Sequence, residues 1–306
     1  AVSDSADFQK NSFFEWVIGA NYLELKESNL KKDDGLYGDP SDPYGPYASA
    51  SASSSKYKSS NFSVFGNLDY LLSASLKFSI GLRWEDWEAD YSDSLQESFN
   101  PTDKMSGGKI SLIKNMTNDT NMYASLARGY KQGGFNLGLG LDANSRNKNL
   151  AYDPEFLTNY ELGINTKLLD SRVTFNGVLF YSDREDQQVL ISTQTDPSDP
   201  NTFSFLTQNA AEGVNHGLEI NMDIDINESL SAFVNLGILK TEIKNWQSRQ
   251  DLEDRAQAHA PERSYALGLN WALTSHTYLA IDFTGKSSFY YSDSHNNKSK
   301  SYVLTN

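Results

Sequence analysis

In segment after segment of this chain, every second residue is apolar and the residues between are small or polar. The cleanest runs are Phe14, Trp16, Ile18, Ala20, Tyr22; Leu76, Phe78, Ile80, Leu82, Trp84; and Leu218, Ile220, Met222, Ile224, Ile226. A period of two is the strand period, so each segment has one apolar and one wet face. The wet partners include full charges in mid-strand: Lys77, Arg83 and Glu85 in one run, Glu219, Asp223 and Asp225 in another. A packed soluble core does not accept unpaired charge. The pattern therefore implies an all-β chain: a transmembrane antiparallel up-and-down β-barrel, with lipid outside and a polar lumen inside.

Other membrane architectures are excluded, because no stretch of about eighteen consecutive apolar residues is present to form a helical span. Aromatic content of 12%, with 17 Tyr and 16 Phe, suits strands and interfacial girdles. A net charge of -14 argues against a nucleic-acid partner. Without cysteine there is no disulfide framework and no thiol chemistry.

About twelve long strands are expected, at 12–26, 58–72, 75–91, 105–116, 121–132, 155–169, 172–191, 203–226, 229–246, 262–273, 276–290 and 299–306. Connections alternate. Short ones fall at Leu72-Ser73-Ala74, Thr117–Thr120, Asp170-Ser171, Asn227-Glu228 and Thr274-Ser275; long ones at 27–57, 92–104, 133–154, 192–202, 247–261 and 291–298. Bacterial barrels have this alternation, with short periplasmic turns and long extracellular loops. The Ala/Ser-rich stretch 48–60 is expected to be a mobile part of the first long loop. Asp39-Pro40-Ser41-Asp42-Pro43 recurs as Asp196-Pro197-Ser198-Asp199-Pro200, a shared turn former; a calcium site is the sharper alternative, without the ligand spacing to complete it.

Charge cost sets the register. A Lys or Arg at the lipid-facing midplane costs ~2–4 kcal/mol, and a one-residue slip turns a whole strand over. That places Glu15, Lys77, Arg83, Glu161, Asn165, Glu219 and Asp223 toward the lumen or whatever plugs it, together with Asn21, Asn67, Asp69, Lys167 and Asp282. Tyr22, Trp84, Tyr160, Tyr181 and Trp271 fall near strand ends on the lipid face, where an aromatic girdle lies.

The block Tyr123–Asn136 (YASLARGYKQGGFN) resembles the barrel of a TonB-dependent outer-membrane receptor. The resemblance continues through Tyr152-Asp153-Pro154-Glu155, Asn159–Gly163, Val178–Asp183, Gly213–Glu219 and Ala260–Tyr265. It implies a plugged barrel in the class of 22-stranded transporters, taking up scarce nutrients such as iron chelates with energy passed on by TonB. Relative to that family, the expectation is a single partial barrel domain over 1–306. The plug domain, the TonB-contacting N-terminal part and the closing strands are not in this sequence, and any export signal has been removed or precedes Ala1.

No catalytic or metal constellation emerges. His216, His259, His276 and His295 fall in different strands or loops, none at ligand spacing, and no serine is marked out as a partner for His216. Neither enzyme activity nor a cofactor is expected. Substrate contacts are expected from loops and rim: Tyr37, Tyr44 and Tyr47 in the first long loop, Arg128, Tyr130, Gln132, Phe135 and Asn136 around the third, and Trp246 in the fifth. By parity with Leu126, Arg128 points to lipid unless Gly129 marks a bulge; a rim position meeting lipopolysaccharide phosphate or an anionic substrate is favoured. The leading function is therefore a Gram-negative outer-membrane receptor importing an iron-siderophore or similar chelate. A passive porin-type diffusion channel is the alternative, and a soluble all-β surface protein the third reading.

Overall fold

The computed structural model describes residues 13–37, 47–94, 98–136, 151–194, 203–246, 250–293 and 295–306, with side chains described except at 33–37, 47–51, 191–194, 203–205 and 210. The strands are β1 (Phe14–Tyr37), β2 (Tyr47–Ser73), β3 (Leu76–Asp93), β4 (Ser98–Phe99), β5 (Thr102–Asn115), β6 (Thr120–Lys131), β7 (Gly134–Phe135) and β8 (Ala151–Tyr152). They continue as β9 (Glu155–Leu168), β10 (Val173–Gln194), β11 (Phe203–Asn227), β12 (Leu230–Trp246), β13 (Arg263–Thr274), β14 (Thr277–Lys286) and β15 (Tyr302–Thr305). A 3-10 turn at Gln250–Leu252 is the one helical element among the described residues.

The long strands form an antiparallel up-and-down sheet in the order β1-β2-β3-β5-β6-β9-β10-β11-β12-β13-β14-β15; β4 pairs with β3, and β7 and β8 form a separate ribbon. The expected strands are all present. Their contacts cluster into two compact units. The smaller holds Ile18–Phe65 and Arg83–Met105; the larger holds Gly66–Leu82 and Ser106–Asn306, together with the start of β1.

Strand ends differ from expectation at one place above all. β1 continues to Tyr37 and β2 begins at Tyr47, so the Ala/Ser-rich stretch 48–60 is strand, not loop. The error has a physical origin. Strand was inferred from apolar alternation, but alternation is needed only where one face meets an apolar medium. Beyond that zone backbone pairing alone carries the ladder, and small polar residues serve. At the other end of the sheet, β14 stops at Lys286, four residues short of the expected boundary.

In the larger unit the register lines up the apolar positions from strand to strand. Leu179 stands between Leu162 on β9 and Leu218 on β11, and Leu218 stands opposite Ile238 on β12. Leu267 on β13 pairs with Val234 and with Phe283 on β14. This face is apolar across every strand yet uncovered: Leu179 is 54% and Ile238 56% exposed. An uncovered apolar face of this extent is far beyond what a water-soluble monomer shows. On the opposite face Glu161, Glu219 and Asp223 share parity with glycines that accept large rings from the neighbouring strand. Tyr123 lies across Gly163 and Phe233 across Gly268, each ring occupying the space a Cβ would fill.

The short connections close tightly. At Leu169, Asp170 and Ser171 the backbone is left-handed, with φ of 54°, 57° and 65°, and Arg172 N–H donates to the Leu169 carbonyl at 3.2 Å. Three consecutive non-glycine residues in that region carry real strain. The β9–β10 pairing, which continues up the strands from Val173↔Leu168, holds them there.

Candidate functional site

The polar face is wired by short-range hydrogen bonds that satisfy its mid-strand charges. In the smaller unit, Arg83 donates from Nε (2.9 Å) and Nη2 (2.6 Å) to Glu85 Oε2, while Asn61 Nδ2 donates to Glu85 Oε1 at 2.5 Å. Glu85 is thereby buried and paired, the one condition under which a buried carboxylate is tolerated. In the larger unit, Ser79 and Lys77 both reach Asp69, the lysine at 3.5 Å. Asn159 donates to Glu161 at 2.7 Å, Ser182 to Asn159 at 2.7 Å, and Asn165 to Asn121 at 2.9 Å. Glu219 and Asp223 remain exposed on this face. Glu219, Asn221, Asn235, Ser264, Thr284 and Lys286 help to line a concavity of about 290 Å³.

Toward the long connections the two faces exchange character. On β3 the even positions are apolar up to Trp84, then become Asp86, Glu88 and Asp90, while the odd positions change from Lys77, Arg83 and Glu85 to buried Trp87, Ala89 and Tyr91. On β12 the even side changes after Ile238 to Lys240, Glu242 and Lys244, and the odd side to buried Thr241 and Ile243. On β10 the odd side gives way after Tyr181 to Asp183 and Glu185. Each swap marks the height at which the exposed face changes from apolar to charged. Beyond the swap on β12, Glu242 and Lys244 pair: the Lys244 ammonium holds the Glu242 carboxyl below the usual carboxylate range, and the carboxylate raises the ammonium in return.

Beyond the swap the strands fold their connections inward over a small core of Val189, Ala211, Ile243, Trp246 and Leu252. Two polar clasps hold these connections. Asn136 pairs with the backbone of Thr207 like an extra strand residue, donating to its carbonyl (2.8 Å) and accepting from its N–H (2.7 Å). Beside it, Gln188 Nε2 donates to the carbonyls of Gln132 and Asp153 (2.8 and 3.0 Å), and Asn209 Nδ2 to those of Asp153 and Asp186 (both 2.8 Å). The second clasp is Arg255. Its Nη1 donates to the His295 carbonyl (2.8 Å) and Asn296 Oδ1 (3.0 Å), and its Nη2 to the Ser292 carbonyl (3.0 Å). The guanidinium also lies 4.2 Å over the Tyr290 ring. Arg255 thus ties the β12–β13 connection to the β14–β15 connection.

The candidate contact residues take several positions. Tyr44 lies outside the described residues, and Tyr37 and Tyr47 lie at strand ends whose side chains are outside them, as are both Asp-Pro-Ser-Asp-Pro segments. Arg128 keeps unbroken register, opposite Gly108 and Thr158, so no bulge turns it inward. It stays on the side of Leu126 near the end of β6, donating to the Ser106 carbonyl at 2.7 Å and stacking 4.0 Å over Phe156. Tyr130 and Gln132 are half-buried, as is Phe135 in the β7–β8 ribbon. Asn136 forms the first clasp, and Trp246 is 1% exposed in the core beneath the connections. Gln188, Asn209 and Arg255 were not picked out from the sequence. The exchange of apolar parity near Trp84 and Ile238 was there to be found, and it marks where such residues begin.

A model of the family described as TonB dependent receptor-like, beta-barrel, matches residues 2–306. Among solved structures, the ferric yersiniabactin uptake receptor FyuA from Yersinia pestis aligns with a TM-score of 0.73 at 19% identity, over 97% of this chain and 44% of its own. The siderophore receptor PiuA from Acinetobacter baumannii gives 0.70 at 17% identity, over 97% and 47%. The copper transporter OprC gives 0.71 at 12% identity, over 97% and 46%. At these identities the likeness shows the fold. The chain spans less than half the length of each of these proteins. Uptake receptors and a transporter lend no support to the diffusion-porin alternative.

Proposed function

This chain belongs to the TonB-dependent receptor β-barrel family, a family of receptors and transporters rather than enzymes, and on that premise we propose that it serves uptake of a metal chelate. The exposed apolar face meets the lipid of a Gram-negative outer membrane, and the long connections face the exterior. The cargo is an iron-siderophore or a similar chelate. TonB drives import by engaging a part of the receptor N-terminal to this chain. The observation that carries the reading is the family match over nearly the whole chain, joined to a sheet with one continuous uncovered apolar face and one hydrogen-bonded polar face. Siderophore and copper names among the structural neighbours support a metal-containing cargo.

Substrate contact is proposed for the long-connection end, through Tyr37, Tyr44, Tyr47, Arg128, Tyr130, Gln132 and Phe135, with Asn136 and Trp246 shaping the surface that presents them. Uptake of radiolabelled iron and copper chelates by cells with and without the gene tests the reading. We expect uptake of at least one chelate to fall on deletion, to return on complementation, and to vanish when TonB is inactivated. Gene-dependent uptake that persists at full rate without TonB would refute it in favour of passive diffusion.

A further inference from the structure

The swap from apolar to charged residues on the outer face leaves two cations in an unusual position. Lys240 follows Ile238 on β12, and Arg263 stands directly opposite Ile238 on β13, so the two are diagonal neighbours on adjacent strands. Such a pair has Cα atoms roughly 7–8 Å apart, close enough for both side chains to hold one phosphate group. Both are exposed, and among the described residues neither forms a salt bridge, although Lys240 adds to the positive field that lowers the Glu242 carboxyl. Glu242, the next acid on that side of β12, is engaged by Lys244. Arg128, the comparable cation on β6, is occupied by the Ser106 carbonyl and the Phe156 ring. Lys240 and Arg263 are therefore available.

Their height fits a membrane border. Lys240 lies ten residues along β12 from Leu230, and Arg263 eight residues along β13 from Trp271. At about 3.4 Å per residue and a tilt of about 40°, these spans rise roughly 26 and 21 Å, against an apolar band of ≈ 25 Å. Below the cations the same face exposes Leu236, Ile238, Leu267 and Leu269. On the far side of Lys240 its register partner His216 stacks on Tyr181, ring centroids 6.2 Å apart, forming a flat wall.

We propose that Lys240 and Arg263 seat a phosphate of lipid A, the anchor of lipopolysaccharide, with its acyl chains lying on the four aliphatic residues below. The inference rests on the barrel reading, which puts the long-connection end in the outer leaflet. It commits to lipid A because a paired cation site just above an aliphatic strip matches a phosphate joined to several acyl chains.

The protein expressed from its complete gene is purified in mild detergent, stripped of lipid, and titrated with purified lipid A by native mass spectrometry. Each cation near an anionic lipid surface is worth about a fivefold change in binding, so K240Q/R263Q should bind lipid A ~25-fold more weakly than wild type, whereas K167Q, near the short connections and away from the two cations, should match wild type. Lipid A stripped of phosphate should bind wild type no better than intact lipid A binds the double variant. Equal affinity of wild type and K240Q/R263Q overturns the proposal, as does phosphatidylglycerol binding as tightly as lipid A. In either case a protein that still folds only in detergent and still imports its chelate leaves the barrel reading standing. A protein that is soluble and monomeric without detergent overturns both.

Discussion

Replacing Leu267 by arginine tests the assignment of faces at its most sensitive point. Leu267 is 37% exposed, flanked by Val234 and Phe283, and lies four residues from both Trp271 and Arg263. That puts it about 10 Å in height from each border of the apolar band, close to the midplane. An arginine on the lipid face there costs ≈ 2–4 kcal/mol, falling to ≈ 0–1 near the interfaces. In water, a surface substitution clear of special features stays within about 0.5 kcal/mol. Asn270, three residues along the same strand and exposed on the opposite face, is the control. We expect Leu267→Arg to lower stability by about 3 kcal/mol and Asn270→Arg by less than about 0.5 kcal/mol. The assay is urea unfolding of the protein in phospholipid vesicles, read from the midpoint at constant slope. Costs that agree within about 0.5 kcal/mol, or a larger cost for Asn270→Arg, would refute the claim that odd positions of β13 face lipid.

Two further predictions concern the clasps. Arg255→Ala removes three hydrogen bonds from a charged donor, and hydrogen bonds to charged groups are worth ≈ 1.5–3 kcal/mol each. Allowing for their overlap, amide exchange across 289–299 should accelerate roughly a hundredfold, equivalent to about 3 kcal/mol. Arg255→Lys should recover only part of the protection, since an ammonium lacks the planar fork; unchanged exchange in both variants would dismiss the clasp. Asn136→Ala should speed exchange of the Thr207 amide, which donates to the asparagine side chain, by about five- to thirtyfold for 1–2 kcal/mol. The amide of Leu218, inside the β10–β11 ladder, should not change. Equal acceleration at both sites would point to global destabilisation instead.

Much of the wall was legible because two strong energies act on it residue by residue. Charge near lipid forbids a one-residue slip, so the parities expected for Leu218 and Glu219 followed from composition at alternate positions, and the pairing sets Leu218 against Leu179 and Ile238. Turn chemistry marked the short connections to within a residue or two. The upper ends of β1 and β2 were not legible. There the residues no longer alternate between large apolar and charged, so the alternation rule has no force, and Ser/Ala sequence looks the same in a strand and a loop. The clasps escaped for a different reason. Gln188, Asn209 and Arg255 bind backbone carbonyls far away in sequence, and nothing about an isolated glutamine, asparagine or arginine announces a distant carbonyl.

What the sequence determined by itself is the two-faced strand, its register and the alternation of short and long connections. Each depends on a local periodicity and on how strongly lipid rejects charge. What only the tertiary structure decided lies at the long-connection end. Asn136 is used to mimic a strand partner and Trp246 fills a core. Arg128 is spent on Phe156 and Ser106, while Lys240 and Arg263 stand on adjacent strands with no salt bridge among the described residues. Whether a polar side chain is occupied or available depends on which neighbours the sheet brings within about 3 Å of it, and adjacency between strands is not written in either strand alone.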